Sequence, residues 1–188
     1  MSIKQEVVSR LSLRPETDED TEFLYTAYAS TRADEMQFAK SNGWTDEQVE
    51  DFLRTQFKYQ LTDYRRTYDT SRFFIIMLDD TPIGRFYVVE RPDKLNFADI
   101  IVLPEYQKQG IGRYYMDGLL EEGRQKNKLV SLHVYSDSWV RQLYERLGFI
   151  ELDDNQVHTY MEWYPDGRPS DEWIEERKKI VNPPESQQ

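Results

Sequence analysis

The chain has 188 residues, 38% of them hydrophobic, which suffices for one domain with a core and is tight for two. Its formal net charge of −11 argues against a large nucleic-acid interface, which needs a basic surface, and it suits a cationic acceptor such as an amine as well as plain solubility. With no cysteine, a disulfide framework and a thiolate metal site are excluded; no apolar run is long enough to span a bilayer and Met1 to Arg14 carries no signal-peptide stretch, so we expect a reducing cytoplasm, no membrane partner and no metal.

Leu11 to Arg14 reads as a short strand closed by Pro15. The acidic stretch Glu16 to Asp20 then opens a helix to about Thr31, with its charges complementing the helix dipole. Thr31 to Met36 reads as a charged connection. Thr45 to Gln48 fits a capping box, in which the cap hydroxyl and a side chain three residues on satisfy each other's backbone amides. The helix that follows has Val49, Phe52, Leu53 and Phe57 at helical spacing and runs to about Tyr64.

Phe73 to Leu78 is a continuous apolar run, and the turn Asp79 to Pro82 joins it to a strand over Ile83 to Glu90. A third strand covers Leu95 to Leu103 and stops at Pro104. A helix is expected from about Gly112 to Gln125, a strand over Leu129 to Tyr135, and a helix over about Trp139 to Leu147 that Gly148 closes as a left-handed cap. Phe149 to Leu152 and Val157 to Trp163 complete the strands. Hairpins in the middle followed by β-α-β units predict an α/β (α+β) domain over residues 1–164, with a mixed, mostly antiparallel central sheet flanked by helices. Residues 165–188 read as an extension: a short helix over Ser170 to Ile180, then a polar, disordered end from Asn182.

The loop Gln107-Lys108-Gln109-Gly110-Ile111-Gly112 carries the most chemistry. Its glycines permit backbone angles other residues resist and let a ligand approach the main chain. The helix that follows offers unpaired N–H groups and a positive dipole end, and Lys108 and Arg113 add cations, a combination suited to a diphosphate. A Walker A loop would end in Gly-Lys-Ser/Thr, whereas this one continues Gly112-Arg113-Tyr114. A dinucleotide fingerprint would need a small residue where Tyr115 stands.

What remains, Gln-x-x-Gly-x-Gly entered from a strand ending Ile101-Val102-Leu103-Pro104, resembles the acyl-CoA-binding motif of the GNAT acetyltransferase family. Leu143-Tyr144-Glu145-Arg146-Leu147-Gly148-Phe149 is similar to that family's Leu-Tyr-x-x-x-Gly-Phe run. The resemblance covers roughly residues 11–163 and implies a GNAT-like fold, acetyl-CoA as cosubstrate and an amine acceptor, small-molecule or protein. It implies that Lys108 to Arg113, with Gln107, hold the diphosphate, that the main chain at Ile101 and Val102 binds the pantetheine arm, and that Tyr144 is the acid that protonates the departing thiolate. The family often has Glu where this chain has His133, in Leu132-His133-Val134, so His133 is a candidate base; Asp99, which interrupts an apolar strand, is a second candidate, as base or as ammonium anchor. Where the family commonly places Asn, this chain has Ser136-Asp137-Ser138, and Ser138 or Asp137 takes that place, as a helix cap at the least. Asp34 and Glu35 are candidates for meeting a cationic acceptor. The rivals to acetyl transfer are a catalytically silent acyl-CoA-binding module acting through a partner, with the tail at Asp171 to Ile180, and a nucleotide-binding enzyme. A homodimer is compatible with all of these.

Overall fold

A computed structural model describes residues 3–182. The disordered end expected from Asn182 falls, from Pro183 onward, outside the described residues. Seven strands form one sheet in the order β1-β2-β3-β4-β5-β7-β6: β1 (Leu11–Pro15), β2 (Phe73–Leu78), β3 (Thr81–Glu90), β4 (Lys94–Val102), β5 (Leu129–Tyr135), β6 (Ile150–Asp154) and β7 (His158–Trp163). The sheet is mixed and mostly antiparallel, with β4 and β5 as a parallel pair, as the sequence predicts.

The helices are α1 (Gln5–Val8), α2 (Thr21–Ser30), α3 (Ala33–Ser41), α4 (Asp46–Thr67), α5 (Ile111–Lys126), α6 (Val140–Arg146) and α7 (Asp171–Val181). The described residues form two compact units: residues 3–89 together with Asp99–Tyr115, and Glu90–Ala98 together with residues 116–182. Strand β4 and helix α5 therefore each contribute residues to both.

In the first unit β1, β2 and β3 pair antiparallel, with Phe73 opposite Tyr87 and their rings stacked at 4.0 Å. Helix α4 starts where expected: Thr45 Oγ1 accepts from the Gln48 amide and the Gln48 side chain accepts from the Thr45 amide. Its buried Val49, Leu53 and Phe57 recur every four residues, so they form one stripe. Phe57 meets Tyr25 and Tyr28 of α2, each with ring centroids 5.7 Å apart. Further along, Tyr64 packs edge-on against Phe73 and Tyr87, which seats α4 on one face of the strands. Phe86, one residue from Tyr87 and so on the other face, meets Tyr115 of α5. Thr31 to Met36 is not wholly a loop: α3 begins at Ala33 and buries no residue, so no apolar stripe announced it.

In the second unit β5 pairs with the first half of β4 and with β7, and β6 borders β7 through a bulge between Glu151 and Asp153. A Cβ at Gly123 of α5 would stand 3.1 Å from Val130 and 3.3 Å from Trp163, so this helix lies close on the strands. Helix α7 is capped by Ser170, whose hydroxyl accepts from the Trp173 amide, and its Ile174 is buried with Leu152 and Tyr160. Among the described residues no helix is long and apolar enough to cross a membrane.

Candidate active site

Strand β4 ends at Val102 because Pro104, which has no amide proton to give, opens a 3-10 turn over Pro104–Tyr106. The loop beyond it turns on two left-handed residues, Lys108 at φ 58° and Gly110 at φ 87°. Glycine tolerates that region freely, whereas lysine does so at a cost that the loop must hold in place. Two glutamine side chains tie the loop down: Gln107 Nε2 donates to the Val102 carbonyl at 2.8 Å and Gln109 Nε2 to the Glu105 carbonyl at 3.3 Å.

Helix α5 then starts at Ile111, whose side chain is buried. Its first turn closes with the Tyr114 amide donating to the Gly110 carbonyl at 2.9 Å. Among the described residues, no backbone carbonyl takes up the amides of Lys108, Gln109, Gly110, Ile111 or Gly112. A run of such amides at the head of a sixteen-residue helix is an anion cradle. Gly110 has a second constraint, since a Cβ there would lie 3.0 Å from the Ile3 nitrogen. Lys108 is exposed beside this cradle, and Arg113 has an interaction of its own.

The segment expected to carry pantetheine is shaped by a glycine the sequence reading passed over. A Cβ at Gly84 of β3 would stand 2.2 Å from the Ile101 carbonyl oxygen, so only glycine lets β4 come this close. The Ile101 carbonyl packs against Gly84, and the Val102 carbonyl accepts from Gln107.

Asp99 stands next to this segment. Its Oδ2 accepts from Arg85 Nε at 2.6 Å, and Arg85 is almost wholly buried. Burial disfavours the Arg85 cation; the charge and hydrogen bond of Asp99, together with Tyr87 and Tyr64, outweigh this and hold the guanidinium pKa above its ordinary value. Sequence reading isolated Asp99 but not Arg85, because a partner fourteen residues away becomes visible only when the strands are folded together. Asp34 and Glu35 lie in the exposed first turn of α3, where Glu35 pairs with Arg32 at 3.0 Å.

In the second unit Tyr144 sits on α6, 8% exposed, with its ring 6.4 Å from Phe97 and 5.6 Å from Phe149. Gly148 at φ 92° turns the chain so that the Phe149 amide donates back to the Tyr144 carbonyl at 3.0 Å. Ser138 stands two residues before α6, whose N-cap is Trp139, and its hydroxyl accepts from the Val140 amide at 3.3 Å.

His133 lies on the other face of these strands. Phe97 pairs with Leu132, so both share the Tyr144 side, while His133 is opposite Tyr160 with ring centroids 4.8 Å apart. Partial burial of its ring, then the charges of His158 and Lys94, lower the His133 pKa below 6.5, against the opposing pull of Asp153. The imidazole is therefore neutral near pH 7, the form that accepts a proton.

Residues 30–149 match the model of the acetyltransferase (GNAT) family. The chain belongs to that family and is an acetyl-CoA-dependent N-acetyltransferase by class. Comparison with curated protein sequences finds no significant match. Among solved structures it is similar to the PaiA N-acetyltransferase of Thermoplasma acidophilum in complex with coenzyme A, at 19% identity and TM-score 0.58, covering 82% of this chain and 98% of that one. The ribosomal-protein-S18-alanine N-acetyltransferase of Escherichia coli is 16% identical with TM-score 0.55, covering 86% of this chain and 97% of its own. An acetyltransferase from Thermus thermophilus is 17% identical with TM-score 0.56, over 82% of this chain and 96% of that one. At these identities the likeness speaks for the fold.

Proposed function

We propose that the chain moves an acetyl group from acetyl-CoA to a primary amine by direct attack within a ternary complex. The carrying observation is the run of amides from Lys108 to Gly112 at the head of α5 that no carbonyl among the described residues takes up, where backbone N–H groups and the helix dipole together favour a diphosphate. Lys108 adds a positive side chain there. Since the chain has no cysteine, no thiol is present to carry the acetyl group between substrates.

The chemistry asks for three things. The ammonium form of the acceptor gives up a proton. Its nitrogen then attacks the thioester carbonyl carbon as the C–S bond breaks. The departing thiolate takes a proton from an acid. We assign the last role to the Tyr144 phenol, by its position in the family's second motif. The amine proton goes to Asp99, which is also the candidate anchor for the ammonium, or to His133, neutral at pH 7 and reached through water because it lies on the face of the strands opposite Tyr144. Asp34 and Glu35 extend the acidic surface that an amine would meet. The absence of cysteine and the charge of −11 suit a reducing cytoplasm and a cationic acceptor, small-molecule or protein, in place of a nucleic acid or membrane.

Thiol release from acetyl-CoA, followed across a panel of polyamines, amino acids, aminoglycosides and peptides with free N-termini, tests this. Turnover with an amine that Tyr144→Phe lowers by about a hundredfold supports the reading. Binding of acetyl-CoA without thiol release for any acceptor would instead make the chain a silent acyl-CoA-binding module. Binding of ATP or NAD in preference to acetyl-CoA would remove the assignment.

A further inference from the structure

The first unit buries a guanidinium where most strands would bury an aliphatic side chain. The Arg85 side chain is 2% exposed and that of Asp99 is 22% exposed. Arg85 donates to Asp99 Oδ2 through Nε at 2.6 Å and to Gln60 Oε1 of α4 at 3.1 Å, and its guanidinium lies 5.0 Å from the Tyr87 ring centroid. Tyr87 is itself held, because its hydroxyl donates to Glu16, which pairs with Arg65 at 3.0 Å. Arg85 is thus braced by α4, by a ring and by a carboxylate. Asp99 is braced on one side only: its Oδ1 accepts no hydrogen bond from a described residue.

Buried ion pairs rarely add stability over a well-packed apolar pair, so their presence calls for a use that apolar side chains cannot meet. A carboxylate with one oxygen gripped by a rigid fork and the other reaching solvent has one fixed direction in which to receive a cation.

We propose that Arg85, backed by Gln60, is a positioning residue that sets the Asp99 carboxylate so that its second oxygen receives the ammonium group of the acceptor. This rests on the reading of the chain as an acetyltransferase acting on an amine. Arg85 touches no substrate and acts through Asp99. Its fixed fork, in place of a mobile lysine, matches a need for orientation beyond charge alone.

The test combines kinetics with a structure. Arg85→Met, Asp99→Asn and the double variant are assayed by thiol release, with the panel amine that wild type turns over fastest. We expect each single variant to raise the KM for the amine by at least about tenfold, with the KM for acetyl-CoA within about twofold of wild type. The double variant is expected to be no worse than the worse single one, because the second change removes an effect already lost. Arg85→Lys is expected to recover part of the loss, and it is read in place of Arg85→Met if that variant does not fold. An unmoved amine KM, or effects of the two changes that multiply, would overturn the proposal.

Crystal structures of wild type and Arg85→Met need no turnover. Rotation of the Asp99 carboxylate out of its wild-type position is expected, and an unmoved carboxylate would show that Arg85 does not hold it. A wild type that binds acetyl-CoA yet releases thiol with no amine would overturn the proposed function and the ammonium role together, while the crystal comparison still decides whether Arg85 orients Asp99.

Discussion

Each unit of the molecule holds a carboxylate-guanidinium pair with one partner almost wholly enclosed, Arg85 in the first and Glu162 in the second, and the two are built differently. In the second unit Glu162 of β7 is 0% exposed and its two oxygens are saturated. Arg177 of α7 donates to both, at 2.7 and 3.0 Å, Tyr160 donates to Oε1 at 2.6 Å and Tyr164 to Oε2. Burial alone would raise the Glu162 pKa, but the bonds from Arg177 and the two tyrosines outweigh it and hold the carboxyl below its ordinary range. In the first unit the cation is the enclosed partner, and the carboxylate of Asp99 keeps an oxygen uncommitted. A closed network fastens an element in place, here α7. An open one leaves a valence for something else. The same residue pair thus ties a helix to its sheet in one setting and, by our proposal, receives a cation in the other.

The sharpest way to break this contrast is to remove the cation from the closed network. Arg177→Met leaves a buried carboxylate with tyrosine partners only. We expect a loss of about 3 kcal/mol in urea-induced unfolding with kcat per folded molecule unchanged. A change in kcat at unchanged stability would make the closed network functional as well. Of similar size is Gly84→Ala, whose Cβ would press on the Ile101 carbonyl. Relief requires a shift of β4, at a cost of about 2–3 kcal/mol by the same measurement, together with weaker acetyl-CoA binding.

How much of this could be read beforehand differs along the chain. The loop from Gln107 to Gly112 announced itself because glycine and proline act locally, and the capping box at Thr45 formed as its spacing required. The succession of strands along the chain followed from apolar runs and turns, whereas their order within the sheet did not. Helices α1 and α3 were not foreseen, since neither buries a residue and hydrophobic spacing is the signal used to find a helix. Arg85 and Gly84 were hidden for another reason: their partners, Asp99 and Ile101, lie on the next strand. In the tail helix, rich in charged residues, Ile174 and Arg177 face inward, a distinction that appears only with Glu162 beneath them.

Smaller effects sharpen the account of the second unit. His133 has a lowered pKa, so it stays neutral as pH falls past 6.5 and gains its proton only further down. If it accepts the amine proton, the acid limb of kcat/KM for the amine has an apparent pKa below 6.5 that His133→Gln removes. An acid limb unchanged in that variant would assign the proton to another group. Gly118 lies mid-helix in α5 with nothing within 4 Å of an added Cβ, so Gly118→Ala is expected to stabilise by about 0.5–1 kcal/mol in thermal or urea unfolding, at unchanged activity.

The proposed grip of the loop on a diphosphate is tested most directly by calorimetric titration of the wild-type chain with coenzyme A and with pantetheine, which shares the thiol arm but has no phosphate. The amides from Lys108 to Gly112 predict that pantetheine binds at least about a hundredfold more weakly. Equal affinity for the two would mean that the loop grips no diphosphate.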